Sequence, residues 1–141
     1  TDGSLDTAFN SGAGFSKGDV RTILIQPDDR ILVGGAFSGT YKNVSALRLI
    51  RLLPSGAFDD SFSAPLNNTL NAMNFTEDYR LLIGGIFNSV SGISKHRIAR
   101  LKLCVNTTIW NGNSWSAGFP SAKFGIFPDR TNSICSEAFS L

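Results

Sequence analysis

Arg30-Ile31-Leu32-Val33-Gly34-Gly35-Ala36-Phe37 decides the fold, because it returns fifty residues later as Arg80-Leu81-Leu82-Ile83-Gly84-Gly85-Ile86-Phe87. The likeness extends outward on both sides. Upstream, Val20 and Ile23 match Leu70 and Met73 at the same offset. Downstream, Arg48-Leu49-Ile50-Arg51-Leu52 matches Arg97-Ile98-Ala99-Arg100-Leu101, one residue closer. Asp2-Gly3-Ser4-Leu5-Asp6-Thr7-Ala8-Phe9 matches Ser55-Gly56-Ala57-Phe58-Asp59-Asp60-Ser61-Phe62. Four blocks recurring in one order identify an internal repeat of about fifty residues.

A period of that length predicts one four-stranded antiparallel sheet per repeat, as in the blades of a β-propeller. The local signals agree. Val20 to Gln26 is rich in β-branched residues and reads as a strand. Pro27-Asp28-Asp29 reads as a turn, since Pro fixes φ and Asp bonds back to its own backbone. Arg30 to Val33 is then the return strand, stopped or kinked by Gly34-Gly35. Residues 46–53 predict a third strand, and Asp-Gly-Ser-Leu-Asp a turn into a fourth. No window of helical length keeps a 3.6-residue period. The fold class is therefore all-β, with propeller-like blades of about fifty residues.

Leu47 to Leu53 does not alternate cleanly between apolar and polar residues. Leu49, Arg51 and Leu53 fall on one face, and Arg48, Ile50 and Leu52 on the other. Apolar groups on both faces predict a sheet covered on both sides. Arginines buried there need partners, because an unpaired buried charge is costly. The turn carboxylates are the candidates: Asp6 and Asp59 are expected to latch Arg48, Arg51, Arg97 and Arg100, tying one unit to the next.

Composition sets the outer limits. Of 141 residues, 42% are hydrophobic and 17% charged, which supplies a core and argues against disorder. Fourteen Gly and eleven Phe suit tight turns and sheet-on-sheet cores. A net charge of +2 with no basic run points away from nucleic acid. No stretch approaches the roughly 20 apolar residues of a membrane helix.

Taken together, the Asp2–Phe9 block, the Ile25-Gln26-Pro27-Asp28 turn, Arg30–Phe37 and Arg97–Leu101 resemble the delta-60 repeat. This is a bacterial β-propeller repeat of large secreted and surface proteins. The resemblance covers residues 1–102 and implies a fold and a location rather than a reaction. Two departures stand out. Asp29 replaces the usual Gly after Pro-Asp, and Thr76-Glu77-Asp78-Tyr79 has lost both Pro and Gly. Asp tolerates a left-handed backbone, but Tyr would be strained, so the second turn is expected to take another geometry.

After Leu101 the expected turn motif is missing, and residues 103–141 read as the start of a second β-rich module. Thr107-Thr108-Ile109-Trp110-Asn111-Gly112-Asn113-Ser114-Trp115-Ser116 with Pro120 resembles a segment of long exported Bacteroidetes proteins that use type IX secretion. Asp6-Thr7-Ala8 matches the O-glycosylation pattern of that group, and Asp60-Ser61-Phe62 matches it loosely, making Thr7 and Ser61 candidate acceptors. Cys104 and Cys135 could form one disulfide in an oxidising compartment, or remain two buried thiols. Two repeats cannot close a propeller, so the expectation is that the chain is part of a longer one.

No catalytic constellation emerges. His96 is the one histidine, flanked by Lys95 and Arg97, and reads as a solvated loop residue. Adjacent Asp28/Asp29 and Asp59/Asp60 belong to turns and point apart, unlike a glycosidase pair. Two Cys and one His do not make a structural zinc site. Gly34-Gly35 lacks the following Lys-Ser/Thr of a phosphate loop. The expectation is a non-enzymatic secreted or cell-surface module with no cofactor. It would act as a scaffold or adhesion platform, binding a protein or glycan at its blade loops. The alternatives are an accessory region of a larger secreted enzyme, or an export substrate held by secretion machinery.

Overall fold

The computed structural model describes residues 2–103. They form ten strands and no helix, in two successive units of the same design. The first unit runs β1 (Val20–Ile25), β2 (Ile31–Gly35), β3 (Thr40–Tyr41), β4 (Val44–Ser45) and β5 (Leu49–Leu52). The second repeats it as β6 (Leu70–Phe75), β7 (Leu81–Gly85), β8 (Ser89–Val90), β9 (Ile93–Ser94) and β10 (Ile98–Leu101). Each unit makes one three-stranded antiparallel sheet, in the order β1-β2-β5 and β6-β7-β10, and one small hairpin, β3-β4 and β8-β9.

The registers superpose across the repeat. Ile23 faces Val33 and Met73 faces Ile83, and a bulge interrupts β1 between Val20 and Thr22 as it interrupts β6 between Leu70 and Ala72. The expected fourth strand shrinks to a single bridge, Leu52 to Phe58, at the outer edge of the first sheet. The third strand is also shorter than residues 46–53. Arg48 takes φ +61°, a left-handed conformation that cannot continue a strand, so β5 starts at Leu49.

The small hairpins fill the space before the third strand, and their turns need positive φ at both central residues. Lys42 and Asn43 supply it in the first unit (φ 48° and 66°), Ser91 and Gly92 in the second (49° and 79°).

The turn between β6 and β7 corrects the expectation drawn from Tyr79. It has the same geometry as its counterpart: φ is +62° at Asp29 and +56° at Tyr79. The backbone bonds also match, Gln26 N–H to Arg30 O beside Thr76 N–H to Arg80 O. Thr76 does what Pro and Gly do elsewhere. Its hydroxyl accepts the Arg80 N–H and bonds Asp78, while the Tyr79 ring lies 6.2 Å from that of Phe75. These contacts offset the left-handed strain of about 1–2 kcal/mol.

Both faces of β5 are covered, since it is buried at all four positions. One face carries Leu24, Leu32 and Leu49 and packs on Leu70, Leu81 and Ile83 of the second sheet. The other carries Val33, Ile50 and Leu52 and packs under Phe37, Tyr41 and Phe58. The Phe15 ring stacks 4.3 Å from Phe37 and 5.0 Å from Tyr41, and the Tyr41 hydroxyl donates to the Gly56 carbonyl at 2.6 Å.

Candidate functional site

The chemically distinctive place among the described residues is a buried polar cluster at the outer edge of the first sheet. Arg51 lies on β5 facing the second sheet, and Asp59 follows the bridge at Phe58, where the chain leaves one sheet for the next. Arg51 Nε donates to Asp59 Oδ2 at 2.7 Å, and both side chains are almost wholly buried. Arg51 Nη2 donates to Ser61 Oγ at 3.0 Å, and that hydroxyl donates to Asp59 Oδ1 at 2.6 Å. The Ser61 N–H adds a bond of 3.1 Å to the same oxygen. Arg30 Nε stands 3.4 Å from Asp59 while Arg30 Nη1 pairs with Asp28 at 3.3 Å. The Arg51 guanidinium also lies 5.0 Å from the centre of the Phe62 ring.

Burial pushes the Asp59 pKa up, but the Ser61 hydroxyl bond and the Arg51 charge outweigh it and hold the carboxyl below its ordinary value. The cluster is thus an ion pair locked by hydrogen bonds on both sides. Gln26 closes its inner side. Its Oε1 accepts from Arg51 Nη1 at 3.5 Å, and its Nε2 is buried without a hydrogen-bond partner among the described residues. Both carboxylate oxygens and the backbone N–H of Asp59 hold the connecting segment against the sheet.

The proposed latch is therefore narrower than the sequence suggested. Arg51 and Asp59 pair. Arg48 and Arg97 do not meet a turn carboxylate; each sits at a left-handed backbone position and turns back onto carbonyls of its own repeat. Arg48 Nη1 donates to Ala36 O and Phe37 O, and Arg97 Nη1 to Ile86 O. A residue with positive φ breaks the strand alternation, so the face assigned from periodicity no longer applies. Arg100 is exposed on β10, and the Asp6 carboxylate accepts the Ala8 N–H at 2.9 Å in an exposed turn.

Thr7 lies exposed in that same turn, whereas the Ser61 hydroxyl is engaged in the Asp59 cluster. Cys104 and Cys135 lie outside the described residues. His96 is exposed, with Nε2 at 3.2 Å from Ser94 Oγ. Among the described residues no group of His, Cys, Asp or Glu could hold a metal ion. Among them no helix is long and apolar enough to cross a membrane. Sequence reasoning missed the hairpins β3-β4 and β8-β9. Each carries an exposed aliphatic side chain at the same register, Val44 and Ile93, on strands open to solvent.

Repeated antiparallel sheets, stacked face to face and joined by a segment pinned at the outer edge, define an all-β fold of propeller-type blades. A family model described as "Domain of unknown function (DUF5122) beta-propeller" matches residues 26–62, the stretch from Gln26 through the Asp59 cluster to Phe62. No curated protein and no solved structure matched the chain.

Proposed function

We propose that the chain is a non-enzymatic β-propeller module of the delta-60 kind, secreted or displayed at the cell surface. It serves as a scaffold and adhesion platform within a larger exported protein of Bacteroidetes type. The observation that carries this reading is the pair of equivalent hairpins. Val44 and Ile93 stand exposed at the same register of two rigid repeats, next to polar Asn43 and Ser94. Aliphatic groups ringed by polar ones, presented periodically by packed sheets, suit recognition of an extended protein or glycan ligand.

The test is binding of the chain to a glycan array and to immobilised extracellular proteins. The Val44→Asp/Ile93→Asp double variant should lose the bound signal while melting within a few degrees of the parent, since both side chains stand partly in water and outside the core. Equal binding by the variant, or turnover of a bound ligand, would overturn this reading.

A further inference from the structure

The charges of the two repeats are segregated by element. From β1 to Leu103 every carboxylate lies in a turn or connection: Asp28 and Asp29 after β1, Asp59 and Asp60 after β5, Glu77 and Asp78 after β6. Between Asp29 and Asp59, and between Asp78 and Leu103, the sequence holds no Asp or Glu. The turn carboxylates are matched by arginines, since Arg30 pairs with Asp28 and Asp59, Arg51 with Asp59, and Arg80 with Asp78.

The hairpin layer is cationic instead. Lys42 sits at the tip of β3-β4, and Lys95 and His96 follow β9. Lys17 lies beside the first hairpin, its carbonyl accepting the Ser38 N–H at 3.2 Å. Asp19 is the only carboxylate between Phe9 and β1. Among the described residues none of these three lysines has a carboxylate at ion-pair distance. Arg48 and Arg97 add charge, although part of each guanidinium is engaged by backbone carbonyls. Exposed Val44 and Ile93 stand among these cations, with exposed Asn43, Ser45 and Ser94 beside them. The hairpins lie outside the joint between the units, where β1 and β2 approach β6. Their charge therefore belongs to each repeat and does not depend on which blade adjoins it.

Resting on the adhesion reading above and narrowing its ligand, we propose that this layer binds an anionic polysaccharide, whose sugars carry carboxylate or sulfate groups at intervals. A lysine ammonium is a compact, strongly hydrated point charge, and meets such groups without the bidentate geometry that an arginine fork imposes. Asn43, Ser45 and Ser94 supply donors and acceptors for sugar hydroxyls, while Val44 and Ile93 cover the C–H faces of a ring. A lysine on each hairpin suits a polymer that repeats along its length. Nucleic acid fits less well: the net charge is only +2, and the hairpins present no exposed aromatic ring for bases to stack on.

Binding of the chain to immobilised polygalacturonate and dextran sulfate tests this, with carboxyl-reduced polygalacturonate and plain dextran as neutral counterparts. The first polyanion reports a carboxylate ligand and the second a sulfate. Binding to at least one of them, and to neither neutral polymer, is expected. It should weaken roughly tenfold or more as sodium chloride rises from about 0.05 M to about 0.5 M. Lys42→Glu and Lys95→Glu should each weaken it several-fold with unchanged far-ultraviolet spectra. Lys102→Glu makes the same change of charge just after β10, away from the hairpins, and should leave binding unaltered. An equal loss with Lys102→Glu would assign the effect to net charge and overturn the proposal. So would equal binding to the neutral polymers, or none to either polyanion. Adhesion to an uncharged glycan or a protein would then survive if the wider array gives a signal that Val44→Asp/Ile93→Asp removes, and would fall with the proposal if it gives none.

Discussion

Burial alone would leave Asp59 easier to protonate than an exposed carboxylate, yet its pKa is lowered by the Ser61 hydroxyl and the Arg51 charge. The unfolded chain takes up its proton near the ordinary carboxylate value of about 3.8, the folded chain only below it. The stability this group contributes is therefore complete above that value and is lost as pH falls through the lower folded pKa. Urea unfolding at stepped pH should show an acid decline in that window, and Asp59→Asn should flatten it. At neutral pH Asp59→Ala leaves Arg51 buried without its carboxylate, whereas Arg30 keeps Asp28. The expected loss is about 3–5 kcal/mol. A change under 1 kcal/mol would mean that solvent reaches Arg51 and screens the pair.

At the level of strands and turns, the paired Gly-Gly motifs separate two constraints that look alike in sequence. Gly35 and Gly85 are equivalent in structure as well. An added Cβ would strike Asp19 O at 2.1 Å in one and Thr69 O at 2.2 Å in the other, because the bulge in the neighbouring strand brings its backbone close. Gly34 and Gly84 differ, since only the first is covered by the next sheet. Gly34→Ala should cost about 1–3 kcal/mol by overpacking against Leu70. Gly84→Ala should be neutral or slightly stabilising, because alanine restricts the unfolded chain. Denaturant midpoints of the two variants make the comparison. The offset between Arg30–Phe37 and Arg80–Phe87 made β2 and β7 legible, because register and burial follow from the alternation. The small hairpins were hidden in two-residue strands too short to show a period. Only the Ser91-Gly92 pair carries a turn signal. Arg48, Arg97 and Tyr79 were misread for one reason: each takes a positive φ that its residue type does not advertise. The Arg51–Asp59 pair was foreseeable because a charge on a strand apolar on both faces has to be matched. The direction of the other arginines depends on backbone conformations that no pattern records.

The two repeats are one cooperative body only so far as their shared core makes them so. Leu32 and Leu49 of the first sheet and Leu70, Leu81 and Ile83 of the second lie in a single buried cluster, so neither sheet can open without exposing residues of both. In repeat proteins stability divides into the intrinsic stability of each unit and the interface between neighbours. Leu70 belongs to the interface: it is fully buried and sits over Gly34. Leu70→Ala removes that contact and leaves a cavity between the sheets, at an expected loss of about 2–5 kcal/mol. Leu82 occupies the neighbouring face in sequence but stands partly in water, so Leu82→Ala should change the stability of the chain by less than about 1 kcal/mol. The shape of the transition discriminates more than its midpoint. If the interface couples the repeats, Leu70→Ala shifts one denaturant transition to lower concentration with its slope preserved. If each sheet stands alone, the same substitution splits the curve, and the Arg51–Asp59 unit unfolds separately from the second repeat. Near-ultraviolet circular dichroism reports the summed tertiary signal of the aromatic side chains, Tyr41 and Tyr79 among them. Coincident loss of tertiary signal and far-ultraviolet signal is the expected result, and a second phase confined to one of them would show that the joint between blades is weaker than either blade.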